Sequence, residues 1–160
     1  MMRMNLDAYY RPSIEFDIAF LAPWLRQDDK NTIKWMTDMS AFDGLHYSWV
    51  NSVESHTIIV NGNVRGMFGI AGTYNEGCPW MLMTDFLTHH PHLNKLFLIE
   101  SRKWMNDRKL VYTKLFNFVS AEHKDHIRWI EWLGFDLIDL YPEFGPYKKP
   151  FIYFEMKDNV

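Results

Sequence analysis

The chain has 160 residues, 48% hydrophobic and 17% aromatic, and a formal charge of −3 from 17 basic and 20 acidic side chains. That length holds one core and is short for two, so residues 1–160 read as a single domain, and the apolar content excludes a disordered chain. The small negative charge removes the bulk electrostatic case for nucleic acid, the lone Cys78 cannot close an internal disulfide, Met1–Tyr10 lacks an apolar signal core, and no apolar run reaches the ~20 residues of a membrane span. The expectation is a soluble protein of a reducing, cytoplasmic compartment, with no nucleic-acid or membrane partner.

Residues 4–10 read as a first strand, broken by Arg11-Pro12-Ser13, after which Asp17 can cap a short helix through Leu25 that Pro23 interrupts. Asp29 to Met39 places Ile33, Met36 and Trp35 inward on a helix, and Asp43 to Ser55 repeats the pattern with Tyr47, Val50 and Val53. Residues 57–60 and 64–71 flank Asn61-Gly62, the dipeptide suited to the positive φ angles of a two-residue hairpin turn. Residues 79–84 follow a glycine-containing loop and complete a three-stranded meander. Leu93 to Asn106 is helical, with Leu93, Leu96, Phe97 and Trp104 on one face. Met36, Met39, Met81 and Met83 read as adaptable core filler.

The most informative stretch runs from Lys114 to Phe135. An apolar strand-like run at 115–119, a polar break, an amphipathic helix at 125–133 and then Leu133-Gly134-Phe135 form one unit, in which Gly134 supplies the left-handed residue that ends a helix. Trp129 and Trp132 have the spacing of packing aromatics on that helix. Residues 137–141 and 151–156 make a last pair of strands, joined by a loop holding Pro142, Gly145, Pro146 and Pro150.

This order of elements, with its Gly134-Phe135 helix ending, resembles the GNAT N-acetyltransferase fold across nearly the whole chain. The resemblance implies an α+β fold: a mixed, mainly antiparallel sheet of six to seven strands, about four helices, and a V-shaped splay between strands 80–84 and 115–119. It also implies acetyl-CoA as cofactor, lying in the V with its pyrophosphate on backbone N–H groups at a helix start. The cofactor-binding residues it points to are Met83, Thr84, Phe86, Thr88, His89, His90, His92, Asn117 and His123. An N–H near Met83 or Thr84 would polarise the thioester carbonyl, Asp85 would act as general base directly or through a water, and His126 would return the proton to the thiolate. The amine would be held by the first two helices and the loop 142–150.

The sequence departs from the family pattern in two places. The usual Gln/Arg-x-x-Gly-x-Gly/Ala loop corresponds to residues 84–95, which contain no glycine, carry Asp85 and lose an N–H at Pro91. The tyrosine of the following helix corresponds to Ile130, and the loop asparagine before it to His123. His89, His90 and His92 read either as substitute phosphate donors or as a polar helix entry, and with no carboxylate or cysteine at ligand spacing they give no metal site. His126 reads either as a proton carrier or as a structural helix residue.

His126-Ile127-Arg128-Trp129 within such a fold is similar to a set of small proteins of short-tailed phages, described as acetyltransferase-like or as internal virion proteins. Two functions follow from the resemblance. One is an N-acetyltransferase moving acetyl from acetyl-CoA to an amine of a protein or small molecule. The other is an inactive binding module that serves virion assembly or engages a host or phage protein, in the host cytoplasm or the virion.

Overall fold

A computed structural model describes residues 6–157. In chain order it contains β1 (Ala8–Pro12), α1 (Glu15–Leu21), a 3₁₀ turn (Ala22–Trp24), α2 (Gln27–Thr37), α3 (Ala41–Val50), β2 (Ser52–Val60), β3 (Asn63–Gly72), β4 (Glu76–Met83), α4 (Phe86–His89), α5 (Pro91–Arg108), β5 (Lys114–Ser120), α6 (Lys124–Trp132), β6 (Asp136–Phe144) and β7 (Lys149–Lys157). The strands form one sheet in the order β1-β2-β3-β4-β5-β7-β6, antiparallel everywhere except at β4–β5. Asn61 and Gly62 close the β2–β3 hairpin at φ of 50° and 79°, as the dipeptide predicts.

The N-terminal third differs from expectation in instructive ways. Met4 and Asn5 lie outside the described residues, and β1 runs on through Arg11-Pro12, where a break was expected; β1 is an edge strand, where a proline is tolerated. Asp17 sits inside α1, not at its cap. Its carboxylate accepts the Ile14 N–H (2.9 Å), both terminal nitrogens of Arg11 (2.8 and 2.9 Å) and the Thr57 hydroxyl (2.7 Å), so it ties β1, α1 and β2 together. Burial alone would raise the carboxyl's pKa, but those bonds outweigh it and hold the pKa below the usual range.

Among the described residues, six helices and a 3₁₀ turn stand where about four helices were expected, because the region around Pro23 divides and the segment after β4 winds into α4. The expected helix 43–55 also ends early. α3 stops at Val50 and buries Gly44 and Leu45, while Tyr47, Val50 and Val53 face outward. Gly44 sets that rotation, since a Cβ there would lie 2.3 Å from a methyl of Ile33 on α2. On α5, Leu93 is buried and Leu96 is exposed.

Adjacent strand residues point to opposite faces, and this divides the core in two. Met67 and Leu82 pack with Ile18, Leu21, Ile33 and Leu45 under α1, α2 and α3. On the other face Ile70, Leu115, Val119 and Phe154 pack against Met105 of α5, Ile130 of α6 and Leu133 just after it.

The splay expected between β4 and β5 is present. The two strands pair only at Glu76↔Lys114 and Gly77↔Leu115 and then part. The two-residue alternation turns the polar backbone groups of residues 77, 79, 81 and 83 toward β5, and Pro79 offers no N–H there to extend the ladder. Asn117 of β5 spans the opening instead: its side-chain amide donates to the Pro79 carbonyl (2.8 Å), while its oxygen accepts the Phe118 N–H (2.7 Å).

α6 ends as its sequence predicts. The Phe135 N–H donates to the Ile130 carbonyl (3.2 Å), the Gly134 N–H donates to the Glu131 carbonyl (3.0 Å), and Gly134 sits at φ 105°. Gly134→Val should therefore destabilise the protein by roughly 1 kcal/mol or more, because a β-branched residue resists positive φ. Lys109 Nζ, 3.1 Å from the added Cβ, would also have to move. Urea denaturation checks this, and an unchanged midpoint would contradict the cap.

Candidate functional site

Beyond the Asn117 bridge, the gap between β4 and β5 is one part of a branched cavity of about 1040 Å³ that also runs along α2, α3 and α5 and reaches β1 and β2. Met81, Leu82 and Met83 of β4, Asn117 and Phe118 of β5 and His126 of α6 line it where the strands diverge. The Met81 N–H and C=O face this opening, by alternation from Pro79 and Met83.

Met83, one alternation further along, is clasped by the start of α2. Its N–H donates to Asp29 Oδ2 (2.9 Å), and its carbonyl accepts the backbone N–H of Arg26 (2.9 Å). The Arg26 guanidinium grips the same carboxylate through two nitrogens (3.1 and 2.8 Å), with Asp29 only 3% exposed. Removing one partner from such a buried pair costs about 3–5 kcal/mol, so the clasp is a fixed part of the fold. It engages the N–H expected to polarise a thioester carbonyl. Thr84 is engaged as well, its N–H donating to the Arg65 carbonyl (2.9 Å).

His126 lies across the cavity on the first turn of α6. Burial, and next the Arg26 cation, push its pKa below the ordinary 6.5, with Asp29 pulling weakly the other way. The shift favours the uncharged ring, whose free nitrogen can accept a proton. His123, at the entry to α6, is buried between Trp35 (centroids 5.8 Å) and His126 (5.2 Å), with Thr32 Oγ1 3.4 Å from Nδ1 and Asp28 Oδ1 3.5 Å from Nε2. Ile130 packs with Val119 and Leu133 in the core and borders the cavity, and its alkyl side chain has no proton to give.

The segment that replaces the glycine loop is folded on itself. The Asp85 carbonyl accepts the N–H groups of Thr88 (3.2 Å) and His89 (2.9 Å) and the Thr88 hydroxyl (3.1 Å), forming the single turn of α4. Pro91 opens α5, and His90 Nδ1 accepts the Leu93 N–H (3.3 Å), so a neutral His90 carries its ring proton on Nε2. The backbone donors of Thr84, Thr88, His89 and Leu93 thus close on the chain itself.

The cavity brings together Met83, Thr88, Asn117 and His126 of the residues singled out from sequence. Asp85, Phe86, His89, His90, His92 and His123 are not in its wall, and Thr84 borders a separate groove. Asp85 is exposed, so the proposed base and His126 do not share one chamber. Sequence reasoning missed Arg26, Asp29 and the open edge at Met81. The Arg26/Asp29 spacing of three signals a helical ion pair, and Met81 shares an edge with any Met83 contact because the strand period is two. Among the described residues, no three His, Cys, Asp or Glu side chains gather to hold a metal ion, and no helix is long and apolar enough to cross a membrane.

The lowered pKa of His126 makes a signed prediction. Between that value and about 6.5 the unfolded chain binds more protons than the folded one. The stability contributed by neutral His126 is therefore complete above about pH 6.5 and is lost as the pH falls toward the folded value. Between about pH 7.5 and about pH 5.5 the wild type should lose more stability than His126→Gln, read from urea midpoints at each pH. Parallel losses would contradict the placement of His126.

No protein-family model and no curated protein matches this sequence. Solved structures do. The ribosomal-protein-S18-alanine N-acetyltransferase of Escherichia coli superposes with a TM-score of 0.65 at 13% identity, covering 96% of this chain and 99% of that one. Ard1 from Thermoplasma volcanium gives 0.63 at 16% identity over 96% and 99% of the two chains. The spermidine N-acetyltransferase of Vibrio cholerae, solved with CoA and spermine, gives 0.64 at 10% identity over 94% and 95%. Identities this low establish the architecture alone: the chain has the GNAT acetyltransferase fold.

Proposed function

We propose that the protein is an N-acetyltransferase that moves an acetyl group from acetyl-CoA to an amine of a protein or small molecule. The carrying observation is the open wedge, in which β4 and β5 part after two paired positions around a cavity lined by the His126 imidazole. In this reading the Met81 N–H takes the place assigned to Met83 or Thr84, and donates to the thioester carbonyl or the arm behind it. His126 accepts the proton of the attacking amine as the C–N bond forms, then gives it to the sulfur as the C–S bond breaks. His89, His90 and His92 meet the phosphates through their side chains, and Asp85 assists as base only through water.

A second reading rests on the self-bonded α4 segment and the clasp on Met83. With the N–H groups of Thr84, Thr88, His89 and Leu93 engaged by the chain itself, fewer donors are left for phosphate. The resemblance of His126-Ile127-Arg128-Trp129 to small phage proteins then supports a binding module acting in virion assembly or on a host protein. Calorimetric titration with acetyl-CoA separates the two, and no binding at millimolar concentration leaves the module.

If acetyl-CoA binds, Asp85→Asn should strengthen binding roughly two- to fivefold, or about 0.3–1 kcal/mol, by removing an anion at the α4 entrance. His126→Ala should lower kcat with KM little changed, as for a residue acting on protons in flight. Acetyl-CoA consumption over a panel of amines reads the second effect. A rate untouched by His126→Ala would remove that residue from the chemistry.

A further inference from the structure

Four arginines are partly buried among the described residues: Arg11, Arg26, Arg65 and Arg108. Three of them grip carboxylates, those of Asp17, Asp29 and Glu54, each at 2.7–2.8 Å. Arg65 has no such partner among the described residues. Its guanidinium lies over the Phe86 ring, 3.9 Å from the centroid, and its Nε is buried without a hydrogen-bond acceptor. That one nitrogen is out of water with no acceptor, and no carboxylate among the described residues pairs with the charge.

Arg65 borders a groove of about 580 Å³ that shares only Tyr9 with the cavity between β4 and β5. Thr84 borders it too, 5% exposed, with a hydroxyl that is buried and unpartnered. The other wall belongs to α1 and the 3₁₀ turn, which bury Ile18, Leu21 and Ala22 and also carry aromatic side chains on their outer face. Asp17 is turned inward, while Phe16, Phe20 and Trp24, four residues apart, are 74%, 65% and 73% exposed. Arg11 and Asp17 also border the groove and cancel one another, which leaves the charge of Arg65 unmatched.

We infer that this groove is a second binding site, for an organic anion that carries a carboxylate or phosphate on a flat apolar body. The anion pairs with Arg65, whose plane Phe86 fixes, and accepts a hydrogen bond from the Thr84 hydroxyl. The apolar body covers Phe16, Phe20 and Trp24, where stacking tolerates many flat shapes. A neutral ligand of the same shape leaves the guanidinium unpaired and binds more weakly.

The test titrates the full chain with naphthoate, naphthyl phosphate and neutral naphthamide, followed by Trp fluorescence and calorimetry. At least one anion should bind about tenfold more tightly than the amide, a ratio that needs no variant. Which anion binds better identifies carboxylate or phosphate as the head group. Arg65→Gln should remove most of that preference and leave amide binding unchanged, and Trp24→Ala should weaken all three probes. Equal affinity for anions and amide, no binding by any probe, anion preference surviving Arg65→Gln, or affinities unaffected by Trp24→Ala would each overturn the site.

Discussion

Where β4 and β5 stop pairing decides what this sheet can do. Two parallel neighbours in the middle of a seven-stranded sheet would ordinarily continue their ladder, and here it fails at the residue that has no N–H to give. Pro79 removes the donor, and Asn117 satisfies the carbonyl left over while holding the strands at a fixed separation. Beyond that point the strands part and the cavity opens between them. The helices on both faces then serve as walls: α2 on one side, α5 and α6 on the other.

The same edge accounts for the tension between the two functional readings. An exposed strand edge is a row of unpaired donors and acceptors, and proteins cover such edges. Here the start of α2 covers the position of Met83 with Asp29 and Arg26, a side chain and a backbone group that together imitate a neighbouring strand. Only the stretch around Met81 remains to receive a ligand. The Arg26 cation that steadies the clasp also helps hold His126 neutral, so the clasp and the candidate base belong to one electrostatic unit.

Much of the fold was legible because its signals are local. Asn61-Gly62 dictates its turn, Gly134 its helix stop, and the alternating or helical spacing of apolar residues marks most elements to within a few positions. What was illegible depends on partners distant in sequence. Asp17 has the composition of a cap, but Arg11 and Thr57 draw it into the core. Tyr47 and Val50 fit an inward helical face until Gly44 seats on Ile33 and rotates α3 the other way. In the site, the missing glycines were plain in the sequence, whereas the closing of α4 on the Asp85 carbonyl and the capture of Met83 by Asp29, 54 residues earlier, needed the tertiary structure.

The central claim is that the β4 edge at Met81 is the docking line of the wedge. Amide hydrogen exchange of Met81, followed by NMR with and without saturating acetyl-CoA, tests it most directly. The account predicts that the Met81 amide slows on binding while the Met83 amide, already held by Asp29, changes little. A ligand that binds without slowing Met81, or that slows Met83 instead by displacing the clasp, would contradict it.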